Sequence, residues 1–245
     1  MELKSVFGKS HQGPFLEINE DFYQCDLEAE LFILLDGFGG VGKGEECVPF
    51  LSNHIQSFYK KGIVDKDSTL PFFYSNKYLL ETNILINSCL SAHEELMNLN
   101  NTKSHTLRSG SSGVVIAKSL NSISLLSTGN CSVYLLRDGK SHQICAPDSL
   151  AQYQLDNDGE FKNTISLSGF GLFSQLHYQS KEVRLREGDI LVSLSDGVYS
   201  HINESEILSH FLKASLTLEE RADILFNLSN ERGNIDNQSC MVLEF

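Results

Sequence analysis

The chain has 245 residues, of which 41% are hydrophobic, and a formal net charge of −13. This length and composition are ordinary for a globular protein that buries a sizeable core. The acidic balance argues against a basic surface for nucleic acid or an anionic membrane, and apolar runs of about five or six residues are far shorter than the ~20 of a membrane helix.

The first half of the chain predicts one strand followed by two helices. Residues 31–35, LFILL, form an uninterrupted apolar run that is typical of a buried strand. Residues 44–61 and 77–97 each place their apolar side chains at helical spacing. Between the two helices we expect a loop over residues 62–76, and after them a polar, mobile segment over residues 98–108.

Short strands dominate the second half of the chain. Runs rich in strand-forming residues predict strands at residues 112–117, 122–128, 132–137 and 140–145. Asp138-Gly139 is a hairpin-turn signal between the last two of them. We interpret residues 146–163 as an acidic loop.

The C-terminal part of the chain begins with a predicted hairpin and ends with a strand. Residues 181–186 alternate between polar and apolar, and a turn signal at residues 187–188 leads into the apolar run at 189–195. The last strand covers residues 239–245. Between these strands, two capping boxes predict the starts of two helices, at Asn203 with Glu206 and at Thr217 with Glu220.

The order of these elements favours an α+β fold. Hairpin-linked strands and helices in separate blocks are typical of antiparallel sheets rather than of a parallel βαβ array. Neither an internal repeat nor a linker interrupts the pattern, so we predict a single domain over residues 1–245.

Acidic residues stand at the boundaries of strands that are far apart in the sequence. They are Glu20, Asp21, Asp36, Asp196 and Asp236. If these strands are neighbours, the carboxylates converge at one end of a sheet and need a counter-charge. Hard divalent cations such as Mg²⁺ and Mn²⁺ provide it through oxygen ligands. An isolated Asp-Gly is commonly a turn, which is our interpretation of Asp138-Gly139, so the prediction depends on the combination.

Several motifs of this chain resemble one known family in both their order and their spacing. They are NED at 19–21, LLDGFGG at 34–40, SGSS with VVI at 109–116, GDILVSLSDGV at 188–198 and DNQSCMVL at 236–243. The family is that of the metal-dependent Ser/Thr protein phosphatases (PPM, or protein phosphatase 2C), and its compact bacterial branch is the most similar. The resemblance implies a four-layer αββα sandwich, in which two antiparallel β-sheets are flanked by helices.

The resemblance also implies a metal site with two Mn²⁺ or Mg²⁺ ions. Its ligands correspond to Glu20, Asp21, Asp36, Gly37, Asp196 and Asp236. Asp36 would bridge the two ions, with the carbonyl of Gly37 as a further ligand. Asp196 and Asp236 would hold one ion, while Glu20 and Asp21 would act on the other, partly through water.

The implied reaction is the hydrolysis of phosphoserine and phosphothreonine in proteins. Two cations activate a water for direct attack on phosphorus, so neither a nucleophilic side chain nor a covalent intermediate is needed. The expected partner is a phosphoprotein substrate, for example a Ser/Thr kinase or its target. Neither nucleic acid nor a membrane is expected as a partner.

The residue that grips the substrate phosphate in this family is absent. Members usually carry an arginine four residues before the Glu of the Glu-Asp pair, and this chain has Leu16 there. Lys9, His11 and Lys43 are candidate replacements, although each is better interpreted as a plain surface residue. The sequence therefore leaves the substrate-binding residues unassigned.

Further positions depart from the family pattern. Phe38 follows the Asp-Gly, where many members have histidine and the bacterial branch often has methionine. The VGDSR-like segment of the family is TGNCS here, so Asn130 and Ser132 replace its Asp and Arg. Leu107 and Arg108 stand where a third metal ligand would precede SGSS, so we expect two ions rather than three.

The six cysteines do not form a recognisable site. They are scattered and form no CxxC pair, so neither a zinc site nor a disulfide framework is indicated. Their apolar neighbours, together with the lack of a signal-peptide pattern, favour a reducing cytoplasm. Cys131 and Arg137 have the C-x5-R spacing of cysteine-dependent phosphatases, but a strand would hold them ~20 Å apart, so we reject that mechanism.

Two alternative functions stay open at this point. Leu16 and the TGNCS segment are compatible with a phosphatase-like binding or scaffold protein that has weak or no activity. A metal-dependent phosphohydrolase acting on a small molecule or on phosphotyrosine is the other alternative. The presence of all five acidic residues favours an active Ser/Thr phosphatase over both.

Overall fold

The computed structural model of the protein contains two five-stranded antiparallel sheets and a separate two-stranded one. It describes residues 1–40, 42–65, 69–156, 159–213 and 215–245, and the side chains at 151–163 lie outside the description. The strands are β1 Ser5–His11, β2 Asp21–Asp26, β3 Leu31–Gly39, β4 Ser109–Ser119, β5 Ser122–Thr128, β6 Ser132–Arg137, β7 Lys140–Cys145, β8 Ser149–Asp156, β9 Gly159–Ser166, β10 Gln179–Arg184, β11 Ile190–Leu194 and β12 Gln238–Glu244. The helices are α1 Lys43–Val64, α2 Leu80–Asn101, α3 Asp196–Tyr199, α4 Glu204–Phe211 and α5 Leu218–Glu231, with a 3₁₀ turn at His105–Leu107.

The strands of each large sheet come from distant parts of the chain. Sheet I has the order β1-β12-β11-β6-β7, and sheet II has the order β10-β5-β4-β3-β2. All of their pairings are antiparallel. The hairpin β8–β9 forms the third sheet.

Strand β3 shows why the chain forms four layers. Its apolar run is buried on both faces, because alternate side chains point in opposite directions. Leu31, Ile33 and Leu35 pack against helices α1 and α2. Phe32 and Leu34 pack between the two sheets, in a cluster that sheet I also lines.

The other outer face belongs to sheet I. A third apolar cluster joins its outward side chains to helices α3, α4 and α5. Helices therefore cover the outer face of each sheet, and the expected α+β sandwich of four layers is confirmed. No helix in the described residues is both long and apolar enough to cross a lipid bilayer.

The predicted helices are confirmed, with shifted ends. Helix α1 is longer than the predicted 44–61, and α2 begins and ends a few residues after the predicted 77–97. Both capping boxes are present, with reciprocal hydrogen bonds between Asn203 and Glu206 and between Thr217 and Glu220. Residues 62–64 of the predicted loop at 62–76 belong to α1, and its residues 66–68 lie outside the described residues.

The strands at 112–117, 122–128, 132–137, 140–145 and 239–245 are likewise confirmed. At the predicted hairpin turn, Asp138 and Gly139 both have positive φ, as a tight turn requires. Strand β1 and the short helix α3 are not predicted from the sequence.

Two predicted loops are wrong. Residues 98–108 include the last turn of α2 and the 3₁₀ turn, and the buried amide of Asn100 ties them to Ser109 through two hydrogen bonds. Residues 146–163 hold most of the hairpin β8–β9, except Asn157 and Asp158, which lie outside the described residues.

The predicted hairpin of residues 181–186 with 189–195 is also wrong. Strand β10 pairs with β5 in sheet II, whereas β11 pairs with β6 and β12 in sheet I. The turn between them crosses from one sheet to the other. Alternation identifies a strand but says nothing about the strand with which it pairs.

The cysteine-phosphatase spacing has a purely structural explanation. Cys131 is fully buried, and burial raises the pKa of its thiol well above the usual value. Arg137 binds both carboxylate oxygens of the buried Asp189, at 2.7 and 2.6 Å. All six cysteines are free thiols, as expected.

The Arg137–Asp189 pair predicts a large loss of stability when the arginine is removed. Asp189 is 1% exposed, so Arg137→Met leaves a buried carboxylate without its cation and lowers the free energy of unfolding by about 3–5 kcal/mol. Arg184→Met is the matched control, because this exposed arginine should change stability by less than about 0.5 kcal/mol. Urea denaturation measures both, and equal losses would contradict the assignment.

Candidate metal centre

Asp36 lies within β3 and not after it, as the predicted strand at residues 31–35 implied, because pairing with β4 continues to Gly39. Asp36 and Asp21 are direct partners in the antiparallel pairing of β2 with β3. Asp36 follows Phe32 and Leu34 on the face between the sheets, because side chains alternate along the strand. The hydroxyl of Ser111 donates to the carbonyl of Asp36 at 3.0 Å and fixes the strand end.

A serine connects Asp21 to the opposite sheet. The hydroxyl of Ser195, directly after β11, donates to Oδ2 of Asp21 at 3.0 Å. The same oxygen of Ser195 accepts from the backbone N–H of Ser239, in β12, at 2.9 Å. One buried hydroxyl thus holds a carboxylate of sheet II against two strands of sheet I.

Asp196 is held at the start of helix α3 by two donors. The side-chain amide of Asn130 donates to Oδ2 of Asp196 at 2.7 Å, and the hydroxyl of Thr164 donates to the same oxygen. The hydroxyl of Tyr199 in turn donates to the carbonyl of Asn130 at 2.6 Å. Asn130, which departs from the family pattern, therefore orients one of the predicted metal ligands.

Glu20 and Asp236 are brought together by Asn237. The side-chain oxygen of Asn237 accepts from the backbone N–H of Glu20 at 2.9 Å, and its own backbone N–H donates to Oδ1 of Asp236 at 2.8 Å. The Glu20 carboxylate accepts from the N–H of Gly44, at the start of α1, at 2.8 Å. This helix end favours a negative charge.

Gly37 is required by the close approach of the Glu20 backbone. A Cβ on Gly37 would lie 2.6 Å from the carbonyl oxygen of Glu20 and 2.9 Å from the Cα of Gly44. The N–H of Gly37 donates to that same carbonyl at 2.9 Å. The second residue of the Asp-Gly pair therefore fits only without a side chain.

These residues surround one cleft at the end of the sandwich, with a volume of about 460 Å³. Its lining includes Glu20, Asp36, Gly37, Phe38, Asn130, Thr164, Leu172, Asp196 and Asp236. Asp21 is buried beside Asp36 beneath it. The structure thus brings together all six residues that the sequence analysis places at the site.

Burial of these acids without a counter-charge raises their pKa values. Burial is the main cause for Asp36, and the nearby carboxylates of Asp21, Asp196 and Asp236 add to it, so its pKa lies well above the usual range. Burial raises the pKa of Asp21 to about 8 and that of Asp196 to about 6. Burial also raises the pKa values of Asp236 and Glu20.

The donor set fits a hard divalent cation. Oδ2 of Asp36 is buried and has no hydrogen-bond partner among the residues that the structure describes, and the acids around it offer only oxygen ligands, which Mg²⁺ and Mn²⁺ prefer. Within the described residues, no three Asp, Glu, His or Cys side chains already form an ion-binding cluster. Mutual repulsion of buried carboxylates opposes such a cluster until a cation is present.

The candidate phosphate-gripping cations lie elsewhere. Lys9 forms ion pairs with Asp223 and Glu219, and Lys43 pairs with Glu46. No Lys, Arg or His occurs among the described residues that line the cleft.

Phe38 lines the cleft at the position where the family often has histidine. Its ring lies over Gly110 and Gly169, where a Cβ would come within 2.4 and 3.1 Å of it. This wall of the cleft is apolar and offers no proton donor.

Sequence reasoning missed several residues that support the acids. Ser195 and Asn237 adjoin predicted metal ligands, so a polar residue next to a motif acid was a usable signal. Thr164 and Ser239 gave no such signal, because only the tertiary structure places their polar groups at the site.

The raised pKa values predict that the metal-free protein loses stability as pH rises. Between about pH 4 and pH 8 the folded chain binds more protons at Asp21 and Asp196 than the unfolded chain does. The stability that these two protonated carboxyls contribute is therefore complete below about pH 4. It falls as pH rises, up to about pH 6 for Asp196 and about pH 8 for Asp21. The free energy of unfolding falls by at most about 1.4 kcal/mol per pH unit for each proton.

Urea unfolding with EDTA at about pH 5 and about pH 8 measures this loss. Asp21→Asn removes one titrating group and should reduce the pH dependence, whereas Asp65→Asn, at an exposed position after α1, should leave it unchanged. A stability of the wild type that does not change with pH would contradict the prediction.

Comparison with known proteins adds evidence at the level of the fold. No protein-family model matches the sequence, and no curated protein matches it significantly. Solved structures match over nearly the whole chain. The Mycobacterium tuberculosis serine/threonine phosphatase PstP/Ppp is 19% identical with a TM-score of 0.76, covering 98% of this chain and 98% of its own.

Two further structures match equally well. PppA, described as a key regulatory component of T6SS in Pseudomonas aeruginosa, is 22% identical with a TM-score of 0.75, covering 98% of this chain and 96% of its own. The catalytic domain of PstP in complex with 2 manganese ions is 20% identical with a TM-score of 0.72, covering 98% of this chain and 97% of its own. The chain therefore has the fold of the metal-dependent Ser/Thr protein phosphatases, the PPM fold, over nearly its whole length.

Proposed function

We propose that this protein is a Mn²⁺- or Mg²⁺-dependent phosphatase that hydrolyses phosphoserine and phosphothreonine in proteins. The observation that carries the proposal is the buried, unpartnered Oδ2 of Asp36, which lies among carboxylates from distant strands. A cation is the natural partner for such an oxygen. The similarity in fold to Ser/Thr phosphatases, one of them solved with 2 manganese ions, supports the same function.

The residues of the cleft divide into ligands for two cations. Asp36 would be a ligand common to both cations, and the carbonyl of Gly37 would be a further ligand. Asp196 and Asp236 would hold one cation, while Glu20 and Asp21 would act on the other, partly through water. Residues 1–245 would form one catalytic domain.

When bound, the two cations would lower the pKa of a water and neutralise charge on the phosphoryl oxygens. The chain itself holds the carboxylates in position. Ser195 fixes Asp21, Asn130 fixes Asp196 and Asn237 fixes Asp236, each through a hydrogen bond of 2.7–3.0 Å. Phe38 and Leu172 add apolar surface, which limits the access of bulk water to the cleft.

The partner that fits this proposal is a phosphoprotein, such as a Ser/Thr kinase or its target, in the cytoplasm. The described lining offers acids and no basic side chain, so the cleft repels a phosphate dianion until the cations are present. Binding of the substrate phosphate would therefore depend on the cations.

The main alternative is a phosphatase-like scaffold with weak or no activity. Two observations favour it: Leu16 stands where the family usually has a phosphate-gripping arginine, and Asn130 replaces an acid of the family pattern. A metal phosphohydrolase for a small molecule or for phosphotyrosine is a further alternative. A panel of phosphoserine, phosphothreonine and phosphotyrosine peptides separates these functions.

The first prediction of this proposal concerns the hydrolysis of a small aryl phosphate with Mn²⁺. Asp36→Asn should lower kcat by about 100-fold or more, because even the outer hydrogen-bond partners of metal ligands contribute 10–100-fold. The matched control is Asp138→Asn. It changes another Asp-Gly pair, in the β6–β7 turn of sheet I, which does not line the cleft. Equal rates for wild type and Asp36→Asn would overturn the proposed role.

A second prediction concerns the stoichiometry of metal binding. Calorimetric titration with Mn²⁺ should give two ions per chain for the wild type and weaker binding for Asp36→Asn. Two bound ions with no turnover on any phosphopeptide would favour the scaffold. A wild type that binds no Mn²⁺ would contradict both the enzyme and a metal-binding scaffold.

A further inference from the structure

The end of the hairpin β8–β9 carries an inverted polarity pattern. In TISLS, residues 164–168, hydroxyl side chains alternate with apolar ones. The apolar Ile165 and Leu167 are 45% and 42% exposed, whereas Ser168 is 2% exposed. The hydroxyl face of this segment therefore points into the protein, and its apolar face points to solvent.

The three hydroxyls on the inner face each have a different partner at or near the metal centre. Thr164 donates to Oδ2 of Asp196, at the start of α3. Ser166 bonds to the hydroxyl of Ser112, in β4, at 3.0 Å. Ser168 accepts from the backbone N–H of Gly129, beside Asn130, at 3.0 Å. The hairpin is thus attached to the site by polar contacts.

The contact of Thr164 differs from the other two because it reaches a predicted metal ligand. Oδ2 of Asp196 accepts from both Asn130 and Thr164, so Oδ1 is the oxygen left for a cation. Asn130 belongs to the turn between β5 and β6, and Thr164 belongs to the hairpin. The orientation of the ligand therefore depends on where the hairpin lies.

We propose that Thr164 is a positioning residue that couples the hairpin β8–β9 to cation binding at Asp196. With Thr164 in place, Oδ1 is presented to the cation and the cation binds more tightly. Because such coupling is reciprocal, a bound cation also stabilises the contact between the hairpin and Asp196. The inference rests on the proposed metal site but is independent of which phosphoester is hydrolysed.

Calorimetric titration of the full chain with Mn²⁺ tests the coupling. Thr164→Val removes the hydroxyl at nearly constant volume and should weaken Mn²⁺ binding by about 10–100-fold, as loss of an outer partner of a metal ligand does. Thr164→Ser restores a hydroxyl and should bring the affinity back to within about 3-fold of wild type. An affinity of Thr164→Val equal to or tighter than wild type would overturn the proposal.

Two control variants separate positioning from general loosening. Ser166→Ala removes a contact of the same hairpin that does not reach Asp196, so it should change Mn²⁺ affinity less than Thr164→Val does. Thr106→Val changes an exposed threonine whose hydroxyl bonds to that of Ser104, and it should behave as wild type. Equal weakening by Ser166→Ala and Thr164→Val would mean that the hairpin acts only as a structural support.

Hydrogen exchange at the hairpin backbone gives a readout that needs no activity. Mn²⁺ should slow exchange over residues 149–166 in the wild type and in Thr164→Ser, but not in Thr164→Val. No effect of Mn²⁺ on the wild-type hairpin would overturn the coupling, even if Thr164→Val does not fold.

The outcomes also separate this inference from the proposed function. Mn²⁺ binding with the expected Thr164 effect but no phosphopeptide turnover would overturn the phosphatase and keep the coupling. Phosphopeptide turnover with no effect of Thr164→Val on Mn²⁺ binding would overturn the coupling and keep the phosphatase. A wild type that binds no Mn²⁺ would overturn both.

Discussion

The repulsion between buried carboxylates is the constraint on which the rest of this structure depends. Burial raises the pKa values of Asp21, Asp36 and Asp196, and the nearby carboxylate of Asp236 adds to the rise in each of them. Such a group of acids is unfavourable unless protons or cations neutralise it. A rigid framework is therefore needed to hold them together, and the strand ends of a two-sheet sandwich provide it.

Neutral polar residues next to the acids hold the carboxylates in position. Ser195 bonds across the two sheets, and Asn237 ties the loop before β2 to the start of β12. Asn130 and Thr164 hold a single oxygen of Asp196. In each case a neutral donor or acceptor fixes the position of a carboxylate without adding charge to the site.

Local patterns predicted much of the fold because they report burial directly. LFILL marked a strand buried on both faces, and the capping boxes marked the starts of α4 and α5. The end of the hairpin β8–β9 gave no strand signal because Ile165 and Leu167 are exposed while Ser168 is buried, so the usual alternation is reversed over residues 164–168. The partners of β10 and β11 were assigned wrongly because pairing depends on distant strands.

By itself, the sequence determined which acids lie close to strand ends, which runs are buried and where two helices start, since these are properties of neighbouring residues. It ended the first buried strand before Asp36, whereas β3 continues through pairing with β4 to Gly39. The motif resemblance added the family and the proposed ligands. Only the tertiary structure decided that Asp21 faces Asp36, that Asn130 and Thr164 share one oxygen of Asp196, and that no described basic side chain lines the cleft. These contacts join residues far apart in the chain, so no local pattern encodes them.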